Sequence, residues 1–197
     1  DLTAESICRP ANFSHKDERA SAGYYSVILK DEGIKAELTA TTHTGMHRYT
    51  FPSGKPVTII VDLAHLLDNE YIYEAELERT TSNEIVGMRR TRGWTDNQYV
   101  YFAAQFSEPF QTVEFVQDKK IVSAETKQVG TDLQAILTFA DKDGEPIIAK
   151  VGLSLVSVDN ARKNLAEEVK DFNFDAVCAA ARNDWEQALS SITVEGG

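Results

Sequence analysis

Four histidines, His15, His43, His47 and His65, fall within the first third of the chain and none follows, a distribution that invites a metal site. Imidazole is a common zinc ligand, and a pair spaced i, i+4 is brought together by a helix. His43 and His47 have that spacing. They lie, however, in a run that alternates apolar and polar residues, where a strand carries them about 13 Å apart at roughly 3.3 Å per residue. Convergence needs a tight reversal at Gly45, so histidines held by structural hydrogen bonds are the stronger expectation.

Other chemistry is harder to place. Asp141 to Pro146, DKDGEP, begins like a calcium loop, but its glycine stands fourth rather than sixth and Gly152 occupies the closing acidic position. Asp143-Gly144 suits a type I′ hairpin turn better. Neither a nucleophile elbow nor a phosphate-binding glycine loop is present. With 31 acidic residues, paired carboxylates could perform acid–base work anywhere, and spacing alone selects no pair. Cys8 and Cys178 sit near opposite ends in no redox or metal spacing, which favours two buried free thiols over one long-range disulfide.

The elements that would position these groups are mainly strands. From Tyr24 to about Ser157, short alternating runs are separated by polar turn segments. Ile34, Ala36, Leu38, Ala40 and Thr42 form one face, and Lys35, Glu37, Thr39, Thr41 and His43 a wet face. Gly45 then suits a bulge or bend, beyond which His47, Tyr49 and Phe51 alternate with Met46, Arg48 and Thr50. Further strands are expected over 57–63, 71–79, 85–92, 99–106, 112–117, 120–127, 133–140 and 147–157. Ten or so strands without intervening helices predict an antiparallel β-sandwich.

At Val158 the period changes. Asp159 or Asn160 is the expected N-cap of a helix carrying Ala161, Leu165 and Val169. Asn173 caps a second, with Phe174, Val177, Ala181, Trp185, Leu189 and Ile192 on one stripe that needs a partner. That partner is either the sandwich or something outside this chain.

A formal charge of −11 opposes binding to a phosphate backbone, and the short cluster Arg89-Arg90-Thr91-Arg92 reads as a solvated hairpin arm, so no nucleic-acid partner is expected. No apolar run approaches the roughly 18 residues of a membrane span. The first residues lack the basic and apolar regions of a signal peptide.

The segment FSHKDERASAGYYSVILKDEGIKAELTATTHTGMHRYTFP closely resembles the bacterial α-mannosidases of glycoside hydrolase family 92. IIVDLAHL, GWTDNQYVYFAAQFSEPF, KVGLSLVSVDNARKNLAEE and DWEQALSSITVEGG extend the resemblance in family order over nearly the whole chain. Ala22 stands where members often have Pro, and Asp17 where they often have Asn. The resemblance implies a galactose-mutarotase-like supersandwich over 1–157 and a helical linker over 158–197 that leads into an (α/α)6 catalytic barrel of the same polypeptide. The barrel itself, where calcium and the catalytic acid and base are implied to lie, is expected to be absent from this chain.

The family's reaction is removal of terminal α-mannose from N-glycans and mannans with inversion. It needs an acid and a base roughly 6.5–9.5 Å apart. No catalytic residue, metal ligand or cofactor is therefore expected here, and the full protein is expected in the periplasm, at the surface or secreted. Candidate pocket or domain-interface residues are His15 and Glu18, His47 and Arg48, and Trp94 and Asp96. The rival expectation is a free-standing carbohydrate-binding module whose sugar-stacking group would be Trp94, Tyr99 and Tyr101.

Overall fold

The computed structural model describes residues 10–67, 70–122, 126–193 and 195. Cys8 and residues 123–125 of the expected 120–127 strand lie outside them. Cys178 is buried and free.

Two antiparallel sheets pack face to face. The larger contains β1 (Arg19–Ser21), β2 (Tyr24–Leu29), β3 (Ile34–Ala40), β4 (Thr44–Thr50), β6 (Tyr71–Arg79), β7 (Glu84–Arg92), β8 (Gln98–Phe106), β11 (Lys127–Gly130) and β13 (Ile147–Ser154). Its spatial order is β1-β2-β3-β4-β13-β8-β7-β6-β11. The smaller sheet runs β10-β9-β12-β5, built from β5 (Val57–Asp62), β9 (Thr112–Gln117), β10 (Lys120–Val122) and β12 (Leu133–Phe139). Between them lies a core that includes Phe51, Leu77, Phe106, Phe115, Leu137 and Phe139.

The outer face of the large sheet is covered in part by α1 (Val158–Glu168) and α2 (Phe174–Leu189). Ala161 packs with Val86 and Ala103, while Phe174, Val169 and Cys178 pack around Met46. The approach of α1 is close enough to require glycine beneath it. A Cβ on Gly152 would stand 2.3 Å from the Ala161 carbonyl oxygen and 2.7 Å from the Leu165 Cβ. Beneath the link between the helices, buried Lys150 donates to the Val169 carbonyl at 3.2 Å and stands 4.7 Å over the Phe172 ring.

Several sequence expectations change. The chain reverses between β3 and β4 at residues 41–43, where the Thr41 amide donates to the Thr44 carbonyl. Gly45 stays in regular register between Ala40 and Val151, so there is no bend there. The expected wet face of β3 is not wet: α2 lies across it, and Glu37 and Thr39 are buried. Helix α1 starts earlier than expected, because Ser157 caps it by accepting from the Asn160 amide at 3.1 Å. Asn173 caps α2 as the sequence predicts.

Asp143 and Gly144 both have positive φ, 53° and 90°, and the Glu145 amide bonds the Lys142 carbonyl at 3.0 Å, consistent with a type I′ turn. It joins β12 to β13 in different sheets, and is not a hairpin. The 120–127 run likewise divides, with β10 in the small sheet and β11 in the large one.

Candidate functional site

Because the small sheet has four strands and the large one nine, part of the large sheet's inner face is uncovered next to β5. A cleft of about 470 Å³ opens there. Ile59 and Val61 of β5, Val100 of β8 and Val151 of β13 supply apolar walls. Its polar groups form two pairs. His47 Nδ1 lies 2.8 Å from the Tyr49 hydroxyl, and burial lowers the pKa of His47 while pushing Tyr49 up to about 12. Both are therefore neutral at neutral pH, a hydrogen-bonding pair without charge.

At the other end Arg89 Nη2 meets Glu70 Oε2 at 3.4 Å, while Arg89 Nε is buried with no hydrogen-bond partner among the described residues. The Arg89 side chain therefore faces the cleft rather than forming part of a solvated arm. Among the described residues, Glu70 is the one carboxylate lining the cleft. Inverting glycoside hydrolysis uses two such groups, and the described residues of this cleft supply one of them along a largely apolar wall. No cluster of three or more potential metal ligands occurs among the described residues.

The six candidate residues do not converge. His15 Nδ1 contacts Glu18 Oε2 at 2.6 Å, and the Tyr25 hydroxyl donates to Glu18 Oε1 at 2.7 Å. The Tyr25 bond, then the His15 bond, lowers the Glu18 pKa. Tyr25 pairs with Leu38 and Leu38 with His47, so register aligns this cluster with His47 along the inner face. Arg48, one residue on, points to the opposite face. There its guanidinium binds Glu37 through two 2.8 Å hydrogen bonds, reaches Asp175 at 2.9 Å and lies 4.3 Å from the Phe174 ring centroid.

Trp94 and Asp96 occupy the exposed β7–β8 turn, where Asp96 approaches Arg92 at 3.7 Å. Three intervening strands, β3, β4 and β13, separate β7 and β8 from β1 and β2.

Two polar clusters were missed by sequence reasoning. Glu37 also accepts from Tyr24 and pairs with Lys35 at 3.1 Å, and the Arg48 bonds, partly opposed by burial, bring its pKa down to about 2. Glu168, at the end of α1, accepts from the Thr41 hydroxyl and the His43 amide and meets His43 Nδ1 at 2.6 Å. That contact is the role of His43: it latches the β3–β4 turn to α1. Glu37 stood on a face that read as wet until α2 was placed over it.

Comparison with known proteins identifies the family along nearly the whole chain. Residues 2–154 match the model of the glycosyl hydrolase family 92 N-terminal domain, and residues 160–197 that of the family's catalytic domain. A family 92 α-mannosidase from Bacteroides thetaiotaomicron is 33% identical, with a TM-score of 0.90 over 95% of this chain and 26% of its own. A second, inverting mannosidase of that organism is 24% identical at a TM-score of 0.82, which speaks to fold. An uncharacterized secreted glycosidase from Arthroderma benhamiae is 24% identical over 96% of this chain and 27% of its own length. The chain thus spans about a quarter of the relatives it matches.

Proposed function

Because the chain belongs to glycosyl hydrolase family 92, we propose that it forms the N-terminal, non-catalytic domain of an exo-acting, inverting α-mannosidase that removes terminal mannose from N-glycans and mannans. Residues 1–157 are the sandwich that supports the catalytic barrel and helps wall its sugar pocket, and residues 158–197 lead into that barrel. Calcium belongs in this reading to the barrel. The full protein acts outside the cytoplasm, a location suggested by its secreted relative.

One observation carries the reading: the family match runs the length of the chain, with residues 2–154 matching the N-terminal domain and residues 160–197 the catalytic domain. The end of α2 supports it. Trp185, Leu189 and Ile192 continue the stripe begun by Phe174, Cys178 and Ala181, yet they overhang the sandwich, with Ile192 79% exposed. In this reading the rest of the catalytic domain covers them.

The test is mannose release from α-1,2-mannobiose with calcium present. The 197-residue chain is expected to release none, whereas a polypeptide continuing through the catalytic domain is expected to hydrolyse the disaccharide. Turnover by the short chain would overturn the assignment.

A further inference from the structure

The outer face of the large sheet is covered by α1 and α2 over only part of its extent. Beyond the N-terminal end of α1, the β6–β7–β8 region presents a row of tyrosines. Alternation puts them there: Val86 and Ala103 face α1, so Arg90, Tyr99 and Tyr101, at even separations along the same strands, share that face. On β6, the register irregularity between Ile72 and Glu74 accommodates Tyr73, whose ring comes under Arg90.

The rings are held in place. The Arg90 guanidinium lies 5.0 Å from the Tyr73 centroid and 5.4 Å from that of Tyr99, and its Nε donates to Asn97 at 2.7 Å. Tyr99 and Tyr101 are within 6° of parallel with centroids 6.1 Å apart, and Tyr71 meets Tyr73 edge-on at 5.1 Å. Tyr71 is 59% exposed and Tyr73 40%, and Trp94 stands at the rim in the adjoining turn.

We propose that this face is a glycan-binding platform, taking a neutral polysaccharide whose pyranose rings lie against the tyrosines. Three features select that chemistry. Each platform ring carries a hydroxyl, so the row offers apolar surface to sugar C–H groups and hydrogen bonds to sugar hydroxyls together, a combination that a purely apolar partner would leave half unsatisfied. The ring spacing is about the width of one pyranose. The charge is balanced among the described residues, because Arg90 stands opposite Glu74 in the strand register, Arg92 approaches Asp96 at 3.7 Å, and Glu76 pairs with Lys127 at 2.6 Å, leaving no excess cation to attract a phosphate or sulfate polymer. The platform lies on the opposite face from the His47–Tyr49 cleft and stands independently of the mannosidase reading; only the choice of α-mannan as first probe rests on that reading.

Native affinity electrophoresis of the 197-residue chain in gels containing soluble, unphosphorylated α-mannan or β-glucan tests it. Retardation by at least one polysaccharide is expected. It should fall at least tenfold in Tyr73→Ala/Tyr99→Ala, persist in Tyr99→Phe, which keeps the ring, and persist in Tyr49→Phe, which alters only the cleft.

Circular dichroism checks the fold of each variant, and Tyr71→Ala, at the most exposed ring, serves if the double variant does not fold. Retardation by β-glucan alone keeps the platform and removes mannan as its ligand. No retardation by either polymer, or retardation unaffected by loss of the platform rings, overturns the proposal.

Discussion

Substituting Glu37→Gln tests whether the helices are fastened to the sandwich by the Arg48 fork. The Glu37 side chain is 5% exposed and accepts two 2.8 Å hydrogen bonds from Arg48, with Tyr24 and Lys35 filling its remaining positions. Its pKa falls from 4.5 to about 2, chiefly through the Arg48 bonds and against the cost of burial. A depression of that size corresponds to about 3 kcal/mol of folding free energy at neutral pH. The contribution is fully present above the unfolded carboxyl's pKa and is lost as pH falls through the folded value.

Gln keeps the shape but not the charge, and leaves Arg48 with only the exposed Asp175 carboxylate. At pH 7 the variant is expected to unfold with about 3 kcal/mol less stability, which at this chain length lowers Tm by about 6–12 °C. Lowering the pH to about 3.5 should narrow the gap between wild type and variant by about 1.4 kcal/mol, because wild type alone loses linked stability. Urea titrations at both pH values, followed by far-ultraviolet circular dichroism, measure this. A gap under about 1 kcal/mol at pH 7, or one that ignores pH, refutes the fastening role.

Two further outcomes follow from the helix contacts. Gly152→Ala forces a methyl against the Ala161 carbonyl and Leu165 and should cost about 1–3 kcal/mol, seen by calorimetry as a Tm lowered by several degrees; an unchanged Tm would mean that α1 does not sit this close. Trp185→Ser with Leu189→Ser should change the stability of the 197-residue chain by less than about 0.5 kcal/mol, since both side chains are exposed, yet reduce stability in a polypeptide that continues through the catalytic domain. Equal effects in both would place these side chains in contacts of the short chain itself.

The strands were legible because half-buried antiparallel strands alternate. The 71–79 and 112–117 expectations match β6 and β9 end for end. What alternation cannot reveal is what covers the second face: the polar run from Lys35 to Thr41 reads as wet, and only the docking of α2 turns Glu37 and Thr39 into buried groups. Which sheet a strand joins is equally hidden. Asp143-Gly144 has the chemistry of a hairpin and makes the expected turn, but the strands it links diverge into different sheets because β13 is already held between β4 and β8.

Of the candidate residues, His15 and Glu18 do meet, since three residues apart they span one 3₁₀ turn. His47 and Arg48 part because neighbours on a strand face opposite ways. Tyr99 and Tyr101 fall on the outer face, because they alternate with Phe102, which enters the core. Their grouping with Tyr73 depends on a β6 irregularity that no sequence period announces.

The position of β13 has a consequence for how the polypeptide is made. β1 to β4 form one uninterrupted meander and β6 to β8 another, and among the described residues they meet only through β13, the last of the described strands. During vectorial synthesis the first meander must wait for roughly a hundred further residues, about 5–20 s at common elongation rates, before its exposed edge at β4 is paired. Chaperone demand on the nascent chain should therefore peak before Ser154 emerges and drop once Gly152 has closed the sheet and α1 can settle on it.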